Sequence, residues 1–182
     1  MSDATALAQR FIDRSRYYLG VEYPAKIRAA LLAMPDEAIW WRPHDDANSA
    51  GNLVMHLAGN VRQWIVSGVG QSADVRRREV EFATRGGVPA EALIDLLERT
   101  LSEVDAVLAK LTPDQMLEAR SIQGRETTVF AAIYHVVEHF STHTGQIIWI
   151  AKMCAAPGAI RFYDDANNAA PLFLEGGRGD VD

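Results

Sequence analysis

The stretch HVVEHFSTHTGQI, residues 135–147, sets His135, His139 and His143 at steps of four. The run continues as IWIAKMCAA, residues 148–156, with no proline before Pro157. This pattern predicts a helix from about Val129 to Met153, capped by Thr127 or Thr128. It is apolar on several faces, so it is expected to be the most buried helix of the chain. A four-residue step on a helix rotates by about 40° and rises about 6 Å, so two histidines at that spacing aim at nearly the same point. That is the reach needed for two imidazoles to share one metal ion at about 2.0–2.1 Å from each nitrogen. One helix cannot close a coordination sphere, so a third ligand has to come from another element.

Upstream, the stretch NLVMHLAGN, residues 52–60, carries His56. Asn48-Ser49 can cap a helix that begins at about Ala50 and runs to about Val66, with Gly68 and Gly70 ending it. Leu53, His56, Leu57, Asn60 and Trp64 fall on one face at spacings of three and four, which makes His56 the natural third ligand. His135 and His143 stand about 80° and two turns apart, too far to share a small ion easily. His139 can pair with either. Two sets follow from spacing: His56 with His139 and His143, or His56 with His135 and His139. The histidine left over would support the site or bond a backbone carbonyl. Glu138 points roughly 100° away from His139 and reads as a surface carboxylate. The zinc-protease pattern H-E-x-x-H is absent, because residue 136 is Val.

The remaining sequence predicts two more long helices. The first spans about Thr5 to Met34, with a kink or break at Pro24 and a stop before Pro35. The third starts with Pro89 in its first turn and carries the stripe Leu93, Leu97, Thr100, Val104, Val107 and Leu111, which is core packing only. No strand-period segment of useful length stands out. Four long helices joined by loops predict an all-α bundle covering residues 1–156. The tail, residues 157–182, is expected to be partly docked through RFYDD and APLFLEGG and partly disordered.

The 182 residues carry 18 Lys and Arg against 24 Asp and Glu, a formal net charge of −6. That balance argues against a nucleic-acid-binding surface. The basic cluster Arg76-Arg77-Arg78 is followed by Glu79 and Glu81 and reads as a solvated loop or local salt bridges. The single cysteine, Cys154, cannot form an intrachain disulfide and reads as a small buried hydrophobe. The N-terminal twenty residues lack the apolar core of a secretion signal, and no run reaches the roughly 20 apolar residues of a membrane span. The expectation is a cytoplasmic protein with no membrane partner.

Two motifs in order, NS-x-G-N-L-V-x-H-L-x-G-N-x-R-x-W at Asn48 to Trp64 and H-V-V-x-H-x-x-x-H-x-G-Q-I at His135 to Ile147, resemble those of the DinB/YfiT-like superfamily. The resemblance extends to the E-x-L-x-x-L pattern of the third helix and to the charged loop ending in Glu81-Phe82, and covers roughly residues 5–155. It is closest to the uncharacterised bacterial branch of that group. It implies a four-helix bundle with a long crossover connection, often a homodimer, and a divalent metal, zinc or nickel, held by three histidines. Carried onto this chain, those ligands are His56, His139 and His143, while His135 matches a position often occupied by histidine that is not a ligand. The DNA-damage name of the superfamily reflects stress induction rather than chemistry.

Three neutral imidazoles leave a bound ion its full charge and an open position, which can activate water or hold a thiol as thiolate. Around that position Asn60, Trp64 and Gln146, together with His135, are the candidate supporting or pocket residues, with Trp149 as a second wall. Members of the superfamily imply a metal-dependent S-transferase that uses a low-molecular-weight thiol on small electrophiles. The alternatives are a metal-dependent hydrolase of small esters or amides, and a non-enzymatic bundle whose metal is structural. No phosphate-binding glycine loop and no nucleophile elbow offer a competing chemistry.

Overall fold

The computed structural model describes residues 2–163. The chain starts with α1 (Asp3–Tyr17), whose N-cap Ser2 accepts a hydrogen bond from the Thr5 amide. One π-helical turn, Tyr18–Glu22, leads directly into α2 (Tyr23–Leu32). Pro24 does not end the helix, but the α-helical pattern is interrupted by the π-helical turn directly before it, as the expected disturbance there implies. The proline sits in the first turn of α2, and the wide turn before it absorbs the missing N–H and the bulk of the ring. A short 3-10 turn, Asp36–Trp40, follows Pro35.

The second long helix, α3 (Ala50–Val61), is capped by Ser49, and a reciprocal capping box joins Ser49 to Asn52. It continues as a π-helical stretch, Arg62–Val69, before Gly70 ends it. A six-residue helix, α4 (Arg78–Ala83), lies inside what reads from sequence as a polar loop. Next comes α5 (Ala90–Leu108), for which Pro89 is the N-cap residue and not part of the first turn. The last helix, α6 (Val129–Cys154), is capped by Thr128, which accepts from the Ala131 amide.

Between α5 and α6 the all-α expectation fails locally. Residues 113–117 form a 3-10 turn, and Ala119–Ile122 (β1) pairs antiparallel with Arg125–Thr128 (β2). Gln123 and Gly124 join them, both with left-handed φ, 55° and 72°. That is the backbone a tight two-residue hairpin needs. Four-residue strands are too short to show an alternating pattern against a polar background. The turn dipeptide is the only local signal.

The fold is thus mostly helical with one small hairpin. α3 packs on α5 and on α6, and α2 packs on α6 and on α5, which closes a ring of helix contacts around one core. Ile27, Leu31, Leu57, Ile65, Leu93, Ile133, Phe140 and Ile147 are among its fully buried members. No helix among the described residues is long and apolar enough to cross a membrane. The Cys154 thiol is free and partly covered at the end of α6, and burial pushes its pKa up, as suits a packing residue. The expected tail segment APLFLEGG and the last residues lie outside the described residues.

Candidate metal centre

The apolar stripe of α3 turns His56 toward α6, where the four-residue spacing stacks His135, His139 and His143 along one side. Of these, His56, His139 and His143 come together. One nitrogen from each lies within 4.8 Å of the other two, a grouping that could hold a metal ion. The Nε2 atoms of His56 and His139 are 3.0 Å apart. Two nitrogens each about 2.05 Å from a shared ion lie about 2.9 Å apart at a 90° angle and about 3.4 Å apart at a tetrahedral one, so this pair already spans an ion. The His56 and His143 ring centroids are 5.2 Å apart and those of His139 and His143 4.4 Å, each pair edge to face.

His135 is not in the group. Its ring lies against the indole of Trp64, with centroids 4.2 Å apart, and beside His139 at 5.5 Å. Of the two sets that spacing leaves open, the geometry brings together His56, His139 and His143. Gln146 accepts a hydrogen bond from Nδ1 of His143 through its side-chain oxygen, at 2.6 Å. Because an amide oxygen only accepts, Nδ1 of His143 carries the proton and Nε2 keeps its lone pair.

The electrostatics favour neutral imidazoles, the form that ligates a metal. Burial, reinforced by His143, His56, His135 and Arg76, pushes His139 down to about 3. Burial also lowers His143, against the opposing bond to Gln146, and lowers His135. Glu138 is exposed, as its place in the sequence implies.

The residues that sequence reasoning missed lie behind His56. Glu81, on α4, is only 6% exposed. Its Oε2 accepts from Nδ1 of His56 at 2.9 Å. Both its oxygens accept from Arg76, Oε1 from Nε at 2.7 Å and Oε2 from Nη2 at 2.8 Å. Arg76 also donates to Oε1 of Gln63 at 2.9 Å. Burial alone pushes the Glu81 carboxyl up, but the bonds from Arg76 and His56 prevail and hold it below the usual carboxylate range. Of the two readings of the basic cluster, the local salt bridge holds for Arg76 and the solvated loop does not: its side chain is 4% exposed and belongs to a buried ion pair with Glu81. The sequence does place Glu81 close to Arg76, but nothing local shows that the pair turns inward onto a histidine.

Asn60 and Trp64 are buried, as expected of the α3 stripe, and each has a polar atom without a partner among the described residues: Oδ1 of Asn60 and Nε1 of Trp64. Oγ1 of Thr144, next to His143, is in the same state. Unsatisfied buried groups are rare and mark places where a water, an ion or a ligand completes the bonding. The π-helical turn that carries Trp64 is a feature common at functional sites. Phe82 packs against the His56 ring at 5.0 Å. Trp149, expected as a second wall, is instead 59% exposed. It lies ten residues beyond His139 on α6, about 80° from it around the helix, and the apolar positions Ile147, Ile150 and Ala151 take the inward face.

A family model described as a protein of unknown function, DUF1572, matches residues 7–158. No curated protein and no solved structure matches the chain.

Proposed function

The chain belongs to the DUF1572 family, described only as of unknown function, and we propose that it is a divalent-metal protein of the DinB/YfiT-like four-helix-bundle type. Its activity would be transfer of a low-molecular-weight thiol to a small electrophile. The observation that carries this reading is the gathering of three histidine nitrogens from two helices into one group. The ring of contacts among α2, α6, α3 and α5 supports the bundle.

The donor set fits a borderline ion such as zinc or nickel, since three imidazoles with no carboxylate or thiolate disfavour calcium and magnesium. Such an ion supplies Lewis acidity that favours the deprotonated form of a thiol or a water. The chain's own residues favour one of those two nucleophiles. Hydrolysis wants a free carboxylate beside the ion to take a proton from water. Among the described residues the carboxylate that bonds one of the three histidines is Glu81, and its oxygens are taken by Arg76 and His56. A thiol loses its proton far more easily than water and needs no such base. The thiol proton passes to solvent, the sulfur attacks the electrophilic carbon and a C–S bond forms; the bonding electrons leave with chloride from a chloro-arene, or stay on the opened oxygen of an epoxide, which takes up a proton. The orphaned Asn60 oxygen and Trp64 N–H are an acceptor and a donor suited to holding a polar group of thiol or electrophile, and the Trp64–His135 stack offers an apolar wall.

The test is thiol consumption with a chloro-arene or an epoxide, using glutathione, mycothiol and bacillithiol, by zinc- and nickel-loaded protein. Turnover that disappears on chelation and in His139→Ala supports the reading. Chelation-sensitive ester or amide cleavage without thiol consumption would replace it with a hydrolase. No turnover, with a large loss of thermal stability on chelation, would make the metal structural.

A further inference from the structure

We infer that Glu81, held in place by Arg76, is the residue that sets the metal-binding tautomer of His56, and that Gly59 is a glycine because it lets Glu81 reach that ring. The inference rests on the metal reading above and adds positioning residues to it.

Two groups face Nδ1 of His56. Oε2 of Glu81 lies at 2.9 Å and can only accept. Nη2 of Arg76 lies at 3.1 Å and can only donate. They call for opposite tautomers. If the ring carries its proton on Nδ1, it donates to Glu81, and Nε2 presents a lone pair to the other histidines. If the proton sits on Nε2, Nδ1 accepts from Arg76, and the ring cannot ligate through Nε2. Two observations decide between them. The bond to a buried carboxylate is charge-assisted and the shorter of the two. An unprotonated Nδ1 would set its lone pair against that of Oε2 at 2.9 Å, whereas Arg76 already bonds both Glu81 oxygens and Gln63 and does not depend on Nδ1 for a partner. The proton therefore belongs on Nδ1. In protein stripped of metal, the proton shared across the 3.0 Å gap between the two Nε2 atoms then belongs to His139.

Gly59 lies one short turn after His56 on α3. A Cβ built there would collide with Oε1 of Glu81 and come within 3.2 Å of Nε of Arg76. A side chain at residue 59 thus obliges the carboxylate to shift from the position in which it meets His56. The backbone of α4 is held against α3 independently, since the Asn52 amide donates to the carbonyls of Glu81 and Thr84 at 2.8 and 2.9 Å. Glu81 is thus delivered from a fixed backbone past a residue with no side chain. Outer partners of ligating histidines orient the ring and raise its basicity, and their loss typically costs 10–100-fold in metal affinity.

The experiment compares wild type, Glu81→Gln and Gly59→Ala by zinc titration against a competing chelator. On the metal-free samples it adds nitrogen-15 NMR of the histidine rings and thermal unfolding. We expect His56 protonated on Nδ1 in wild type, loss or mixing of that tautomer in both variants, and zinc affinity about 10–100-fold weaker in both. Both should still unfold cooperatively. Equal zinc affinity in all three proteins, or a wild-type His56 protonated on Nε2, overturns the inference. Wild type that takes up no zinc removes the metal reading, and the tautomer measured on the same samples still decides whether Glu81 sets it. If Glu81→Gln does not fold, Gly59→Ala, which keeps both charges, carries the test.

Discussion

Replacing Asn52 with Ala should destabilise the protein by about 3 kcal/mol, because one buried amide serves three separate backbone groups. Asn52 is fully buried in the first turn of α3. Its Oδ1 accepts from the Ser49 backbone N–H at 3.2 Å, and its Nδ2 donates to the carbonyl oxygens of Glu81 at 2.8 Å and Thr84 at 2.9 Å. Alanine keeps the helix but strips the N-cap N–H and both carbonyls of their partner. Each group left unsatisfied costs about 1 kcal/mol at the lower end of the usual range, giving about 3 kcal/mol for the three. For a chain of this size that corresponds to a fall of about 6–12 °C in Tm. The assay is thermal and urea unfolding of metal-free protein followed by circular dichroism at 222 nm. A loss below about 1 kcal/mol would refute the reasoning, since it would mean that water or a shifted α4 replaces the amide at little cost.

Further outcomes follow from the same structure. Metal-free protein should lose stability as pH falls from about 6.5 toward 3. Folded His139 takes up its proton only at about 3 and an unfolded imidazole at about 6.5, so the unfolded chain binds more protons across that window. Urea titrations at stepped pH check this, and a stability that rises on acidification would contradict it. Phe140→Ala, on the inward face of α6 and fully buried, should cost about 3–5 kcal/mol by chemical denaturation. Trp64→Phe removes an indole N–H that has no partner among the described residues, so stability should change by less than about 1 kcal/mol while KM for the thiol or electrophile rises. Unchanged kinetics would remove Trp64 from the site.

The parts of the fold that the sequence makes legible are those set by local rules. The four-step histidines of α6, the Ser49 and Thr128 caps and the stripes of α3 and α5 each rest on residues within one or two turns of each other. Helical periodicity brings His139 and His143 together without any knowledge of the tertiary structure. What stays hidden depends on contacts distant in sequence. Glu81 reaches His56 only because Asn52 docks α4 on α3 and Gly59 leaves a gap, and neither fact has a periodic signature. Arg76 next to two carboxylates looks the same whether the pair faces water or the core. Pro24 marks where the first helix is disturbed but not the form of the disturbance, a π-helical turn, and the 119–128 hairpin is too short to declare a period. Spacing alone leaves His135 and His143 open as the partner of His139; the family resemblance points to His143, and the packing agrees, since the His135 ring lies against Trp64.

The central claim is that His56, His139 and His143 hold a divalent ion, and elemental analysis of protein purified without an affinity tag tests it most directly. The account predicts about one zinc or nickel ion per chain, absent from His139→Ala purified in parallel. Wild-type protein that contains no metal, and takes up neither zinc nor nickel on titration, would contradict it and leave the three histidines as neighbours in a helix interface.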